Sequence, residues 1–470
     1  MFDSPRIYNI FPKLVGKIPE WLAHIEAIKK MNFNWIYINP INELGFSGSL
    51  YSIKDYFRLD PQFAVDKLDQ VSWSSFKTFI KSCHEKGIKV MLDIVINHTA
   101  VDMVEWYPNW YAKKWAIIDK EKDLPVKFFE NHELNYGEPE KNPPKIDETK
   151  YPPEKYSLSH RIANPYAIDP ANAEEITIWG DLAEIDYNSP YLDEIMTFWK
   201  KLLRFYAEIG VDGYRCDAAY QISSLIWKPL IDHVKSINPD ALFLAETLGA
   251  RPSHYEDIQK AGFDLITTSL RYWDYTAPWC VEQYEMFRKY AASVSFPESH
   301  DTPRLAQETD GRIDIQKFKY FFSSFFSAGV SIPIGYEFGF HKQINVVKTT
   351  PMDWEVPTFD ISDFITRCNF FKQMYLCLNE DGPITHFDYG NKSLLVMRKE
   401  SIAQNQAILL CYNKDWNNNQ ELYLESMPYF LDYGTKIFRI NLKGAKVIYP
   451  DESLRFTLKP NEFVLFLQNK

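Results

Sequence analysis

From its first residues the chain alternates short runs rich in β-branched and aromatic residues with longer stretches whose apolar positions recur every three or four residues. "RIYNIF" predicts a strand, "PEWLAHIEAIKKM" a helix, "NWIYINPI" a strand, "SWSSFKTFIKSCHEKG" a helix closing at Gly87, and "KVMLDIVINH" a third strand. After a long interruption the rhythm resumes with strands in "GYRCDA", "ALFLAETL", "FDLITTSL", "SVSFPESHD" and "GVSIPIGYEF", separated by helical stretches near 190–209, 223–237, 253–261, 277–292 and 314–328, with another near 360–378. Eight strands alternating with helices imply parallel βα units, and hence an α/β chain built on a closed (β/α)8 TIM barrel. A doubly wound open sheet is the alternative, although no G-x-G-x-x-G or phosphate-binding loop is visible.

Two segments break the pattern. The stretch 99–179, with its proline-, lysine- and glutamate-rich "YGEPEKNPPKIDETKYPPEKY", is far too long for an ordinary loop and predicts an excursion domain after strand 3. From 384 to 470 the texture shifts to short alternating strands such as "KSLLVMRK", "QAILLCYN" and "EFVLFLQN", which predict a C-terminal antiparallel β-sandwich. The barrel is then assembled from 1–98 and 180–383.

Composition narrows the class. With 470 residues, 46% hydrophobic and 24% charged, the chain has material for a large core, and its net charge of −11 without a basic run argues against a nucleic-acid or anionic-membrane partner. No apolar run is long enough to span a bilayer, and "MFDSPRIYNIFP" lacks the pattern of a signal peptide, so a cytoplasmic protein is expected. Cys83, Cys216, Cys280, Cys368, Cys377 and Cys411 form no C-x-x-C pair and predict reduced core thiols.

The candidate chemistry lies at the ends of the strands, where barrel enzymes keep it. Strand 3 ends with Asp93, Asn97 and His98, strand 4 with Arg215 and Asp217, strand 5 with Glu246, and strand 7 with His300 and Asp301. In strand 4, Gly213, Arg215 and Asp217 share one face by strand periodicity, while Cys216 faces away and is a poor nucleophile candidate. A strand-end carboxylate alone is usually a cap or a solvated group. Three of them converging on one rim suit chemistry at an acetal carbon, one attacking, one protonating the leaving oxygen and one stabilising charge. Arg215 then keeps Asp217 ionised, with Asp93 bracing Arg215. Neither a zinc-protease helix nor a Ser-His pair fits, because Ser299 and His300 are adjacent in a strand and point apart.

These stretches resemble the signatures of the α-amylase superfamily, glycoside hydrolase family thirteen. "DIVINH", "GYRCDAA", "FLAETLG" and "FPESHDTPR" match its four signatures in order, and "LAEIDYN" is similar to its short fifth one. The resemblance implies Asp217 as nucleophile, Glu246 as general acid/base and Asp301 as transition-state stabiliser. It also implies that Arg215, His98 and His300 hold the donor sugar, and that Tyr51 of "LYSIKDY" stacks on it, followed by Asp55. On the acceptor side Tyr220 and Gln221 replace residues usual in amylases. Glu184 stands where a calcium-binding aspartate is usual and Gln221 replaces a residue near that ion, so no cofactor and no metal are expected, although Asn97 matches a calcium-ligand position. "PIGYEFGF", "NVVKTTPMDWE" and "ENHELNYGEPEKNPPK" look nearest to the maltosyltransferase branch, which includes enzymes using maltose 1-phosphate.

The resemblance therefore implies a retaining enzyme on α-1,4-glucans working through a glycosyl-aspartate, with malto-oligosaccharide as its partner and transfer alongside hydrolysis. Two alternatives stay open: a maltosyltransferase with little hydrolysis, with Lys145 and Lys348 as candidate phosphate contacts, and a catalytically silent glucan-binding protein. Trp106, Tyr107, Trp110, Tyr111 and Trp115 are either glucose platforms or the core of the excursion domain.

Overall fold

A computed structural model describes residues 3–129, 143–169, 172–431, 437–442, 444–448 and 453–469. Its centre is a closed parallel barrel of eight strands taken in chain order. These are β1 (Arg6–Ile10), β2 (Trp35–Ile38), β3 (Lys89–Ile94), β4 (Gly213–Cys216), β5 (Leu242–Ala245), β6 (Leu265–Thr267), β7 (Ala292–Ser295) and β8 (Gly329–Pro333).

Strand alternation sorts the side chains. Outward residues such as Ile36, Ile38, Val90, Leu92, Tyr214 and Phe243 join the large core between barrel and helices. Inward residues Ile7, Trp35, Tyr37, Met91, Leu244, Leu265 and Val294 form a separate cluster that fills the barrel. The helix Ser74–Glu85 buries Phe76, Phe79, Ile80 and Cys83 at helical spacing, and Gly87, at φ +65°, follows it in the left-handed region that glycine favours. Among the described residues no helix is long and apolar enough to cross a membrane.

Two insertions stand on the rim. The loop after β2 carries an antiparallel hairpin of Asn42–Leu44 and Ile53–Leu59, which the sequence pattern did not predict. The strand predicted through His98 stops at Ile94. His98–Ala100 instead pairs antiparallel with Leu182–Glu184, forming the stem of the excursion. Beyond the stem lie a three-stranded sheet and a two-stranded one. Part of the proline-rich stretch, residues 130–142, lies outside the described residues. The C-terminal part packs a six-stranded antiparallel sheet against a two-stranded one, sharing a core that includes Val396, Leu409, Leu422, Leu424, Leu458 and Phe466. The extra edge strand Ile384–Phe387 and the strand Leu454–Leu458 were not predicted.

At the floor of the barrel Gly213 makes room for an indole. A Cβ at this position would lie 2.9 Å from both the Leu242 carbonyl oxygen and a ring carbon of Trp35. Gly213→Ala is expected to lower unfolding free energy by about 1–3 kcal/mol, read from urea denaturation, because neither the strand backbone nor a buried indole gives way readily.

Candidate active site

Parallel pairing of β3 with β4 sets Asp93 directly beside Arg215. One guanidinium nitrogen, Nη1, donates to both oxygens of Asp93 at 3.1 Å and to Oδ1 of Asp217 at 2.7 Å. Asp93 has no exposed side-chain surface, Arg215 is buried, and Asp217 is partly open to the cleft. Asp93 Oδ2 also accepts from the hydroxyls of Tyr37 at 2.5 Å and Tyr51 at 2.8 Å. Burial pushes the Asp93 carboxyl up and Arg215 pulls it back.

Glu246 follows β5 and stands next to this pair. Its Oε2 accepts from the amide of Ala218, the residue after Asp217, at 3.1 Å, and its Oε1 accepts from the amide of Leu248 at 2.7 Å. Ala218 reaches that position with φ 41° and ψ 42°, a left-handed conformation that costs an L-residue about 1–2 kcal/mol. Burial drives the Glu246 carboxyl up to about 7, with Arg215 opposing and Asp217 adding to the rise. A buried, raised carboxyl and one bonded to a guanidinium thus sit side by side.

The histidines and Tyr51 close the other flank. The Tyr51 ring lies parallel to the His300 ring at 5.8 Å, with the Arg215 guanidinium 5.9 Å from its centroid. His300 Nε2 is 2.7 Å from the Tyr51 hydroxyl and 3.1 Å from Asp301 Oδ2, and burial holds its imidazole below the ordinary value. His98 Nε2 meets the Tyr51 carbonyl at 3.2 Å, so Nε2 carries the proton; its buried Nδ1 has no partner among the described residues. Asp301 is the most open of the three carboxylates, its side chain 54% exposed. Between these groups the barrel mouth opens a cleft lined in part by Asn9, Tyr37, Arg215, Glu246, His300 and Asp301.

The structure thus brings together Asp93, Asp217, Glu246, Asp301, Arg215, His98, His300 and Tyr51. Tyr220 borders Glu246: its ring lies nearly parallel to His254 at 5.5 Å, and its hydroxyl lies 3.2 Å from where a Gly249 Cβ would stand. Gln221 is exposed, with Oε1 accepting from Asn97 Nδ2 at 3.3 Å. Asp55 is not brought to the cluster; it accepts from the Phe57 amide and faces Tyr107 and Tyr206. Of the excursion aromatics, Trp110 and Tyr111 are buried, Tyr107 stacks on Trp110 at 4.0 Å, and Trp115 packs on His160. Trp106 is 49% exposed, with Lys54 over its ring. Lys145 and Lys348 are both exposed. Sequence reasoning missed Tyr37, Asn39 and Asn9; the signal was there, since Tyr37 and Asn39 continue the inward series from Trp35.

The side chains at the family's calcium position do not fit that ion, which takes six to eight oxygens. Lys114 Nζ donates to both oxygens of Glu184 at 3.0 and 2.9 Å, Gln221 Oε1 accepts from Asn97, and of these three side chains only Asn97 Oδ1 has no partner among the described residues. No group of three or more His, Cys, Asp or Glu among the described residues is placed to hold a metal.

Comparison with known proteins places this geometry. The model of the glucanotransferase domain of glycogen debranching enzyme matches residues 1–109. A cyclomaltodextrinase of Geobacillus thermopakistaniensis is 25% identical over 476 residues, covering 96% of this chain and 70% of that protein. The relatives that this chain resembles along most of its length are members of the α-amylase superfamily. Another relative, the α-1,4-glucan:maltose-1-phosphate maltosyltransferase of Burkholderia pseudomallei, is 22% identical over 88% of this chain, which spans only 33% of that enzyme's length. The crystal structure of an α-amylase from Geobacillus thermoleovorans superposes with a TM-score of 0.71 at 18% identity, covering 99% of this chain and 98% of that one, in agreement with this superfamily's barrel fold.

The raised Glu246 carboxyl is a directly measurable property of the site. Carbon-13 NMR of the labelled side chain is expected to give a midpoint near 7, and Asp217→Asn is expected to move it down by removing a neighbouring negative charge.

Proposed function

We propose that the chain is a retaining enzyme acting on α-1,4-linked glucans through a covalent glycosyl ester on Asp217. The observation that carries this reading is the contrast between two adjacent carboxyls, Asp217 bonded to the Arg215 guanidinium at 2.7 Å and Glu246 lifted by burial to about 7. In the first step an Asp217 oxygen bonds to the anomeric carbon, the glycosidic bond breaks, and the Glu246 proton passes to the leaving oxygen. In the second, Glu246 as carboxylate takes a proton from water or a sugar hydroxyl, whose oxygen bonds to the same carbon while the ester breaks. Two inversions retain the α configuration. Asp301, open to the cleft, stabilises the positive charge that develops on the ring. The bare Nδ1 of His98 accepts from a donor-sugar hydroxyl, and His300 and Arg215 hold the same sugar.

Tyr220, fixed against His254 beside Glu246, supplies an acceptor wall that favours a sugar over water, so transfer accompanies hydrolysis. The second reading, a maltosyltransferase with little hydrolysis, is favoured by the likeness to the maltose-1-phosphate enzyme along 88% of the chain. Six buried, unpaired cysteines suit a reducing, cytoplasmic setting.

Asp217→Asn and Glu246→Gln should each lower turnover of maltoheptaose more than about a thousandfold, ~4 kcal/mol of barrier; retention of turnover within about tenfold by either would refute its assigned role. Wild-type protein should convert maltoheptaose into both shorter and longer α-linked products, and a time course giving only shorter ones at high acceptor concentration would leave plain hydrolysis. Adding inorganic phosphate separates the second reading, which requires a sugar phosphate to form. Because Lys114 holds Glu184, activity should survive EDTA, and prompt inactivation reversed by calcium would count against the absence of a metal.

A further inference from the structure

Behind Asp93 the buried polar groups of β1 and β2 form a chain whose donors all run one way. Asn9 Nδ2 donates to Asn39 Oδ1 at 2.8 Å and to the Tyr37 carbonyl at 3.1 Å. Asn39 Nδ2 donates at 3.1 Å to the hydroxyl oxygens of both Tyr37 and Tyr51. All of these side chains except Tyr51 are buried. The Asn39 amide orientation follows from these partners, because its oxygen is taken by a group that only donates, the Asn9 amide nitrogen. A tyrosine hydroxyl has one proton. With Asn39 donating to both oxygens, both protons are left to point at Asp93 Oδ2.

We infer that Asn39 is a positioning residue for the reacting pair: by donating to Tyr37 and Tyr51 together it turns both hydroxyls onto Asp93, and Asp93 so held fixes Arg215 against Asp217. Two further observations fit this. His300, neutral through burial, has a proton on Nε2 to share between the Tyr51 oxygen and Asp301, so the donor-side imidazole is oriented by the same chain. Arg215 uses a single nitrogen for Asp93 and Asp217, so a turn of the Asp93 carboxylate moves the contact on Asp217.

The inference rests on the proposed role of Asp217, and the experiment separates the two. The groups that face Asp93 are Tyr37 from β2, Tyr51 from the hairpin loop, Arg215 from β4 and Asp217 just after it, and His300, with Asp301 beyond it, after β7. Asn39→Asp keeps the shape but replaces the amide donor with an acceptor that competes for both hydroxyl protons. It should lower kcat about tenfold or more with KM within about threefold, since hydrogen bonds to a charged group are being lost. It should also raise the acidic limb of the kcat/KM profile by about half a pH unit or more, because an Asp93 deprived of donors protonates at higher pH. Tyr37→Phe deletes one oxygen and should move kcat and the limb the same way by a smaller amount, with the thermal midpoint little changed. Asp217→Asn is assayed alongside. If it keeps turnover, the proposed nucleophile is wrong. If it abolishes turnover while Asn39→Asp and Tyr37→Phe leave both kcat and the acidic limb at wild-type values, the positioning role is overturned. Losses that follow a drop in thermal midpoint with no movement of the limb would also overturn it, in favour of a purely structural role.

Discussion

The Arg215 guanidinium, buried at the mouth of the barrel between Asp93 and Asp217, is the interaction on which the rest of the site depends. Taking three charges out of water is a poor source of stability, and removing one member of such a group typically costs about 3–5 kcal/mol because the others are left uncompensated. The fold therefore has to deliver the partners in register. It does so through the parallel pairing of β3 with β4, which puts Asp93 opposite Arg215. Below them Gly213 gives way to Trp35, so the inward face of β4 runs from a packed floor to a charged rim within five residues.

From that constraint follows the division between the two central carboxyls. Asp217 is tied to the cation and partly open to the cleft, whereas Glu246 hangs from two backbone amides in a more enclosed place and is pushed towards its protonated form. The same protein groups serve both: the strained turn at Ala218 lets the chain present the Asp217 carboxylate and offer its next amide to Glu246. The two carboxyls are set apart by their surroundings, a guanidinium for Asp217 and burial for Glu246, not by their chemistry.

The barrel and its carboxylates were legible because alternation in "GYRCDA" and helical spacing in stretches such as Ser74–Glu85 are strong local signals. The hairpin that carries Tyr51 was not, since its pairing is short and interrupted by two register shifts. Asp55 shows the same limit. It lies four residues past Tyr51 on the hairpin strand Ile53–Leu59, and the structure turns it towards Tyr107 and Tyr206. Alternation from Trp35 could have placed Tyr37 and Asn39 on the inward face, but only the closed barrel gives them and Asn9 the partners that set them apart from ordinary polar residues. Trp110 and Tyr111 looked the same in sequence as Trp106, and only the packing of the excursion separates core from surface.

The central claim is that Asp217 becomes covalently bound to sugar, and trapping that ester tests it most directly. Glu246→Gln protein incubated with α-maltosyl fluoride needs no acid to expel fluoride but lacks the base for the second step, so the glycosyl ester accumulates. Peptide mass spectrometry should then find one maltosyl group on the segment containing Asp217, absent when Asp217→Asn is added. Fluoride release with the sugar on another residue, or with no bound sugar at all, would contradict the account.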